Sequence, residues 1–447
     1  MMNKIATFLF LVLAIPSQGL AQAADHSISL QDAINYALTH NQNILNAKLN
    51  IEASEAVVKL NITTGMPQIN GSVDLSDNFE LPTSFLPAEI VGGPAGTHLP
   101  VQFGTAYSGN AVVAANQMVF DGVFFVGLEA AKTYKELSTK AHIKTEIDVV
   151  EAVTKAYYNV LVNDLILELI EKNLGRLDTL LRDTRAMYEG GFAERIDVSR
   201  VQVPYNNMKV THDNTKKMFA VAESLLKFQM GMPISESLVL TDELTSDMFE
   251  HVEDENFSYQ QRIEYSMLQT QERLRMLDVK QTKVQYLPKL DLYANMGALA
   301  GTNTAGDLFD ISNQWYWFGT IGLRMSVPIF DGLRKHMTIQ QKKAELNKVY
   351  NSFDMLKNSM DLEIEQTKIA YNNSIDYMKV QLENMQISED VYNVTKIKYE
   401  EGVGSNIEVI TADADYKQAQ TNYFQALYSA LVAKVDYEKA LGKLNQQ

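Results

Sequence analysis

The chain has 447 residues, no Cys and a formal net charge of -16 at pH 7. Without Cys it has no disulfide, no zinc–thiolate site and no lipidated N-terminal Cys, and the excess of acidic side chains disfavours binding to nucleic acid. No stretch after Ile15 reaches the roughly 18 uninterrupted apolar residues that a membrane-spanning helix needs.

The N-terminus has the order of a secretory signal. Lys4 precedes an apolar run from Ile5 to Ile15, and small residues follow as far as Ala23. A buried helix or a membrane anchor is the alternative, but the run is too short to cross a bilayer. We predict that residues 1–23 are a signal peptide and that the mature chain is exported.

Landmarks of the sequence recur in the same order about 210 to 221 residues apart, which indicates an internal duplication. The pairs are Met66–Ile69 with Leu287–Leu290, Phe120–Gly122 with Phe330–Gly332, Tyr188–Gly191 with Tyr399–Gly402, and Leu226–Gly231 with Tyr437–Gly442. The pattern predicts a first half over 24–231, a connector over 232–257 and a second half over 258–447.

Each half is predicted to contain a helix, two strands, a very long helix, a tight turn and a returning helix. The first helix is expected to begin after Ser29, an N-cap with Asp32 three residues on, and to continue as one helix as far as Val58. Pro67 and Pro288 are expected to end the helices that precede the strands, because proline lacks the backbone donor.

The long helices are predicted from two stretches without proline, 122–188 and 332–399. Apolar residues recur at steps of three and four, as in Leu174, Leu177 and Leu181, which is typical of coiled coils. At about 1.5 Å per residue, each helix would be roughly 100 Å long. Helices of this length must lie side by side in an elongated assembly.

Four segments alternate between apolar and polar residues with period two. They lie near 66–79, 104–119, 288–300 and 315–328. A transmembrane barrel with a wet lumen has this pattern, and so does a half-exposed sheet of a soluble domain. Trp315 and Trp317 lie at one end of one strand, which favours an aromatic belt at a membrane interface. In the barrel reading, Arg324 faces the lumen, and Ile321 and Leu323 face lipid.

The strand count requires several copies of the chain. Four strands cannot close a barrel around a pore, and an open sheet edge in lipid leaves backbone groups unpaired. Three copies supply twelve strands, an even number within the known range. The predicted fold class is mainly α with a membrane β-barrel portion: a long α-helical coiled-coil barrel, with four strands per chain in a trimeric twelve-stranded barrel.

Several of these features together carry a family resemblance. They are the opening pattern Leu30, Ala33, Ala37, Leu38, Asn41, the helix-ending Pro67 and Pro288, the paired Phe-Asp-Gly tripeptides and the paired Tyr-x-x-Gly tips. With them, the chain resembles the TolC-type outer-membrane factors over essentially its whole mature length.

The resemblance implies a homotrimer in the outer membrane of a Gram-negative bacterium, in contact with its lipid. It implies a barrel with external loops at 80–103 and 301–314, a twelve-helix periplasmic tunnel, and an equatorial collar that includes the connector. Such a duct docks on a periplasmic adaptor and an inner-membrane pump that supplies the energy. The expected function is a passive exit duct of a tripartite efflux pump or a type I secretion system, for drugs, metal ions or polypeptides.

The resemblance also assigns roles to the turns between the long and the returning helices. Positions Tyr188, Gly191, Tyr399 and Gly402 match tips that contact the adaptor, although turn chemistry alone would explain the glycines. Asp197 and Glu408 match acids of the periplasmic entrance, and a solvated helix face is the alternative. Thr411 replaces a second acid found in some members, and Gly404 replaces an Arg that helps to lock the entrance.

The two Phe-Asp-Gly tripeptides are predicted to be structural joints between barrel strand and helix. They are Phe120, Asp121, Gly122 and Phe330, Asp331, Gly332. Asp can cap the first turn of the helix, and Gly permits a bend that other residues resist.

The sequence does not favour an enzyme, a cofactor site or a metal site. The seven His are scattered, and neither a glycine-rich phosphate loop nor a Gly-x-Ser-x-Gly motif occurs. Two other classes compete with the duct. A periplasmic coiled-coil or adhesion protein leaves the alternating strands unexplained, and a single-chain porin needs many more strands.

Overall fold

The computed structural model describes residues 26–244, 249–252, 257–312 and 314–444. The predicted signal peptide, 1–23, lies outside the described residues. The helices are α1 (Leu30–His40), α2 (Gln42–Thr63), α3 (Gly122–Glu189), α4 (Arg195–Met230), α5 (Ile263–Val284), α6 (Arg334–Glu400) and α7 (Asn406–Ala440). The strands are β1 (His26–Ile28), β2 (Gln68–Asp77), β3 (Thr83–Pro87), β4 (His98–Gln102), β5 (Tyr107–Phe120), β6 (Leu238–Leu240), β7 (Lys289–Thr302) and β8 (Trp315–Ser326).

The two very long helices are confirmed. Helix α3 has 68 residues and α6 has 67. The second begins two residues later than predicted, because Gly332 and Leu333 both have a φ of 65° and cannot belong to a right-handed helix. Among the described helices, none is both long and apolar enough to pass through a membrane.

The prediction of one continuous first helix is wrong at Asn41. There ψ is 129°, so the backbone leaves the helical region and α1 and α2 are separate. The side chain of Asn41 accepts a hydrogen bond from the Asn43 backbone N–H (2.8 Å) and donates one to the Gln229 carbonyl (2.7 Å). The predicted cap at the start of α1 is confirmed, since Ser29 Oγ accepts from the Asp32 N–H at 3.2 Å.

The four predicted strands form one antiparallel sheet in the order β2-β5-β7-β8. Its register places polar residues mainly opposite polar or small residues, and apolar residues opposite apolar ones. Along one row of cross-strand partners stand Asn70, Ala114, Asn295 and Thr320, and along the next stand Ile69, Ala115, Ala294 and Ile321. Because partners across an antiparallel pair share a face, one face of the sheet is largely polar and the other apolar.

Arg324 belongs to the polar face, where its guanidinium lies 5.0 Å from the centre of the Tyr293 ring. Ile321 and Leu323 belong to the apolar face and are 75% and 61% exposed in the single chain. The predicted separation of these three side chains between two faces is confirmed. That the polar face lines a lumen and the apolar face meets lipid stays a prediction.

Two pairs of short strands were not predicted. A parallel pair joins β1 to β6, so residues 26–28 are paired with residues near the beginning of the predicted connector. Asp242, just after β6, accepts hydrogen bonds from the Leu30 N–H (2.7 Å) and the Tyr157 hydroxyl (2.9 Å). An antiparallel hairpin of β3 and β4 lies within the predicted external loop over 80–103.

The chain divides into two compact units, and each takes segments from both predicted sequence halves. The first consists of the described residues as far as Leu45, those within Thr145–Phe257 and those from Met360 onward. Its core includes Tyr157, Leu226 and Leu431, all fully buried. The second, Asn46–Lys144 and Ser258–Ser359, contains the four-stranded sheet. The predicted domain borders stay predictions.

Candidate functional site

The turn between α3 and α4 ends the long helix with a left-handed glycine. Gly191 has a φ of 80°, and its N–H donates to the Tyr188 carbonyl at 3.1 Å. The N–H of Phe192 reaches back to the Met187 carbonyl at 2.8 Å. These two bonds form a Schellman motif, which satisfies carbonyls at the helix end. We call residues 188–197 the first tip.

The turn between α6 and α7 has the same geometry. Gly402 has a φ of 75°, and its N–H donates to the Tyr399 carbonyl at 3.0 Å. The N–H of Val403 donates to the Lys398 carbonyl, also at 3.0 Å. We call residues 399–408 the second tip. The predicted positions Tyr188 and Gly191 therefore have exact structural counterparts in Tyr399 and Gly402.

Gly404 is fixed by a close approach of the backbone. A Cβ atom at this position would lie 3.0 Å from the Tyr399 nitrogen and 3.1 Å from the Lys398 Cβ. A side chain at this position would therefore require its neighbours to shift by a few tenths of an ångström.

Asp197 and Glu408 make equivalent contacts, one at the start of each returning helix. Asp197 Oδ2 accepts from the Glu194 N–H at 3.1 Å, and Glu408 Oε2 accepts from the Ser405 N–H at 3.5 Å. Each carboxylate is the third helical residue of a capping box. Within the described ranges, no hydrogen bond or ion pair joins Asp197 to Glu408. Both acids thus cap helices, whatever further role they have.

Each tip also presents a pair of exposed apolar side chains that the sequence reasoning missed. Phe192 and Ile196 form the pair of the first tip, and Val403 and Ile407 occupy the corresponding places of the second. Phe192 is 88% exposed and Val403 is 79% exposed. The internal repeat could have revealed these pairs, because in both halves the two apolar residues follow the left-handed glycine by one and five positions.

The model of the family described as outer membrane efflux protein matches residues 33–227 and 263–443, most of the chain. The chain belongs to the outer membrane efflux protein family. It is therefore a channel of the outer membrane and not an enzyme, and it works as a homotrimer with a periplasmic adaptor and an inner-membrane pump.

This efflux protein is similar in sequence to curated outer-membrane proteins over most of its length. It is 22% identical over 421 residues to the probable efflux pump outer membrane protein TtgC of Pseudomonas putida, covering 93% of this chain and 83% of the relative. It is 21% identical over 357 residues to the outer membrane protein TolC of Vibrio cholerae, covering 76% of this chain and 77% of the relative.

Solved structures share the fold of this efflux protein. A crystal structure of CusC matches with a TM-score of 0.73 at 16% identity, over 92% of this chain and 91% of that one. The outer membrane protein VceC of Vibrio cholerae matches with a TM-score of 0.68 at 14% identity, over 92% and 96%. The fold class is thus as predicted, with helical-barrel and β-barrel portions in a trimeric channel.

Arg176 of this efflux protein lies in a small aromatic cluster with one residue from each of the two helices that the second tip joins. The sequence analysis did not predict this cluster. The guanidinium lies 5.1 Å from the centre of the Tyr392 ring and 5.2 Å from that of Tyr416, and the two rings stack at 6.1 Å. Asn173 accepts from Arg176 Nη2 and donates to Gln420 Oε1 at 3.0 Å. Cation–π and amide contacts thus join α3 to α6 and α7.

Burial changes the acid–base behaviour of several groups in this region. It raises the pKa of the Tyr392 and Tyr416 hydroxyls above the ordinary value. It also lowers the pKa of the Lys417 ammonium, which is ion-paired with Asp413. This pair lines a cavity of about 250 Å³ between α3, α4 and α7, together with Leu177 and Pro204.

The predicted joints lie where strands β5 and β8 lead into α3 and α6. Asp121 Oδ1 accepts from the Val123 N–H at 2.8 Å, and Asp331 Oδ2 accepts from the Lys335 N–H at 3.1 Å. Both acids therefore cap a first helical turn, as expected. The glycines differ: Gly332 has a positive φ of 65°, whereas a Cβ on Gly122 would lie 3.0 Å from Val284 Cβ. Phe120 and Phe330, the first residues of the joints, are both exposed in the single chain.

The two Trp residues lie at the start of β8, on the apolar face of the sheet. Trp315 Nε1 donates to the Leu308 carbonyl at 2.9 Å, and a Cβ on Gly109 would come within 2.8 Å of its ring. Trp317 is exposed. Their place on that face is compatible with the predicted aromatic belt, which stays a prediction.

Proposed function

We propose that the two tips of each of three copies meet around the threefold axis and form the periplasmic entrance of the duct. The observation that carries the proposal is that both tips have one geometry: a left-handed glycine, a capping carboxylate and an exposed apolar pair. Three copies would present six such tips in one ring. Energy comes from the pump, and the entrance opens passively for the cargo.

The charge of the second tip supports an entrance that attracts cations. From Glu401 to Tyr416 the chain carries four acids and no Lys, Arg or His; the acids are Glu401, Glu408, Asp413 and Asp415. The next cation, Lys417, is paired with Asp413 inside the protein. Three exposed Glu408 carboxylates held close together would repel one another and bind divalent cations that neutralise them. We propose that the three Asp197 carboxylates form a second ring of acids, with a larger diameter, at the same entrance.

The exposed apolar pairs support contact between the tips and the adaptor. Exposed apolar side chains within a polar surround mark surfaces for protein contact. Phe192 and Val403 follow directly after the left-handed glycines, so each projects from the extreme end of a helix pair. We propose that they form the adaptor contact together with Tyr188 and Tyr399, while Gly191 and Gly402 shape the turns.

The experiment tests the tips without disturbing the trimer. A Phe192→Asp, Val403→Asp double variant is expressed in the native host from which the gene is deleted, and accumulation of the dye ethidium is measured. We expect trimers at normal level in the outer membrane but as much ethidium as in the deletion strain. The matched Phe192→Leu, Val403→Leu variant should restore efflux. Full activity of the Asp variant would exclude the proposed adaptor contact.

For the cargo, we propose small molecules. The relatives that match over 93% of the chain are named for antibiotic and toluene efflux, whereas the alkaline protease secretion protein AprF matches over 37% of it. Deletion of the gene should lower the concentrations of toluene and antibiotics that stop growth and leave secreted proteins unchanged. Loss of one secreted protein with unchanged tolerance would assign the chain to secretion instead.

A further inference from the structure

Two loops leave the same end of the four-stranded sheet, the end opposite the helices. Asp77 at the end of β2 pairs with Tyr107 at the start of β5, which pairs with Thr302 at the end of β7. The first loop, 78–106, contains the β3–β4 hairpin. The second loop joins β7 to β8 and contains Leu308, whose carbonyl binds Trp315.

Both loops present large apolar side chains that the described part of the chain leaves exposed. The following side chains are each at least 66% exposed: Phe79, Phe85, Ile90, Val91, Phe309 and Ile311. A hairpin of two strands is marginally stable by itself in water, and clustered apolar exposure of this kind marks a contact surface. The hairpin therefore needs a second surface to pack against.

The topology indicates which surface that is. In the order β2-β5-β7-β8, the edge strands are β2 and β8. A closed barrel of three copies must pair β2 of one copy with β8 of the next, because open edges in lipid are not tolerated. We call this junction the seam. The hairpin follows β2 and the second loop precedes β8, so each seam places the hairpin of one copy beside the β7–β8 loop of its neighbour.

Charge argues against a lipid headgroup as the partner. The two loops carry Glu80, Glu89, Asp307 and Asp310 but no Lys or Arg, and phosphate-bearing headgroups bind basic clusters. Three of these carboxylates accept hydrogen bonds from groups within or next to their own loops. Glu89 accepts from the Gly96 N–H at 2.9 Å, and the carboxylates of Asp307 and Asp310 accept from Thr302 and Ser312 hydroxyls. The loops thus offer no Lys or Arg to a phosphate group, whereas several of their most exposed side chains are apolar.

We propose that the β3–β4 hairpin of one copy packs against the β7–β8 loop of the next copy at every seam and holds the external rim of the barrel together. The contact is formed by Phe85, Ile90 and Val91 on one side and by Phe309 and Ile311 on the other. The proposal rests on the trimeric barrel and adds to it a contact between neighbouring copies beyond the strands.

The absence of native Cys makes the contact testable by cross-linking in the full-length chain. A Phe85→Cys, Ile311→Cys variant in outer membranes is treated with a short flexible bis-maleimide. We expect covalent dimers and trimers on a denaturing gel, and no cross-linking from either single variant. A Ser84→Cys, Ile311→Cys variant is the matched control, because Ser84 is exposed on the opposite face of the hairpin.

Three results would overturn the proposal. Cross-linking of Phe85→Cys alone would place the hairpins against one another at the axis. Protection of Phe85→Cys from a water-soluble maleimide, without cross-linking to Ile311→Cys, would place the hairpin in lipid. Absence of cross-linking with equal water exposure would leave the hairpin free. In all three cases an intact trimer band on a mild gel separates this failure from failure of the trimer itself.

A double-mutant cycle gives an independent measurement. Phe85→Ser and Ile311→Ser should each lower the temperature at which the trimer dissociates in detergent. If the two side chains touch, the double variant should dissociate close to the temperature of the weaker single variant. Additive lowering of the dissociation temperature would show that the two residues act independently and would contradict the contact.

Discussion

The carboxylate of Glu408 folds back onto the backbone N–H of Ser405, while Ser405 Oγ accepts from the Glu408 N–H at 3.4 Å. A residue proposed for the entrance therefore also caps its helix. The two roles can be separated, because a Gln side chain can make the same backbone contact without the charge.

Glu408→Gln should keep the second tip folded and weaken its affinity for cations. We expect less block by divalent cations added to the periplasmic side and lower selectivity for cations, both measured as conductance in planar bilayers. Glu408→Ala should in addition lose the hydrogen bond from the Ser405 N–H and so destabilise the start of α7.

A charge change outside the two tips is the control for this experiment. Glu52→Gln removes the same charge from an exposed position of α2 and should leave block and selectivity unchanged. If Glu408→Gln also leaves both unchanged, Glu408 is only a capping residue on a solvated helix.

The two glycines of the second tip should differ in their response to Ala. At Gly402 a Cβ would meet nothing within 4 Å. Gly402→Ala should therefore lower the free energy of unfolding by about 1 kcal/mol, solely because Ala disfavours the left-handed backbone conformation. At Gly404 the Cβ would lie 3.0 Å from the Tyr399 nitrogen, so Gly404→Ala must shift the backbone of the preceding helix end by a few tenths of an ångström. Hydrogen exchange of the second tip should therefore accelerate in both variants, and more in Gly404→Ala.

Gly175 provides the comparison for these variants. It lies inside α3 with nothing within 4 Å of a Cβ, and its φ is not positive. Gly175→Ala should stabilise the helix by up to about 1 kcal/mol and leave exchange at the second tip unchanged. Equal acceleration in Gly402→Ala and Gly404→Ala would contradict the assigned clash.

The two faces of β8 should differ in their access to water. In the trimer, Arg324→Cys should react with a water-soluble maleimide because the polar face lines the lumen, and Leu323→Cys should not, because the apolar face meets lipid. Since side chains alternate with period two, the opposite result would mean that the faces are exchanged. Mass-spectrometric labelling of the two variants in outer membranes distinguishes the results.

How far the sequence predicts this fold depends on the range of the interaction. The strands and their faces follow from a period of two, and the long helices follow from an unbroken run without proline, so both were predictable. Asn41 was not, because its side chain ends a helix through a carbonyl of distant Gln229. In a periodic pattern, Asn41 resembles any polar residue on a helix surface.

The same limit applies to the tips. The left-handed glycines could be predicted, because glycine after a helical pattern has a local meaning. Arg176 could not, since its partners Tyr392 and Tyr416 come from two other helices and a single Arg in an amphipathic pattern carries no signal. The capping role of Glu408 was within reach, because Ser405 and Glu408 have the spacing of a capping box.

Glu438 is a half-buried carboxyl in α7. Burial raises its pKa above the ordinary value of 4.5, although the ammonium groups of Lys434 and Lys443 oppose the shift. Below pH 4.5 the carboxyl is protonated in both the folded and the unfolded chain, so it costs no stability there. Between pH 4.5 and the raised pKa, the unfolded chain ionises this carboxyl while the folded chain keeps it protonated, so the free energy of unfolding falls by up to about 1.4 kcal/mol per pH unit; above the raised pKa it falls no further.

Glu438→Gln should remove this dependence. We expect the variant to become more stable than the unchanged protein as the pH rises above 4.5, with a difference that levels off once the carboxyl is ionised in the folded chain. Urea unfolding of the detergent-solubilised trimer, followed by circular dichroism between acidic and neutral pH, measures the difference. Glu365→Gln, at an exposed position of α6, should give a difference that does not change with pH. A flat difference for Glu438→Gln as well would show that the carboxyl titrates alike in the folded and unfolded chains, and that its burial does not govern the pH response.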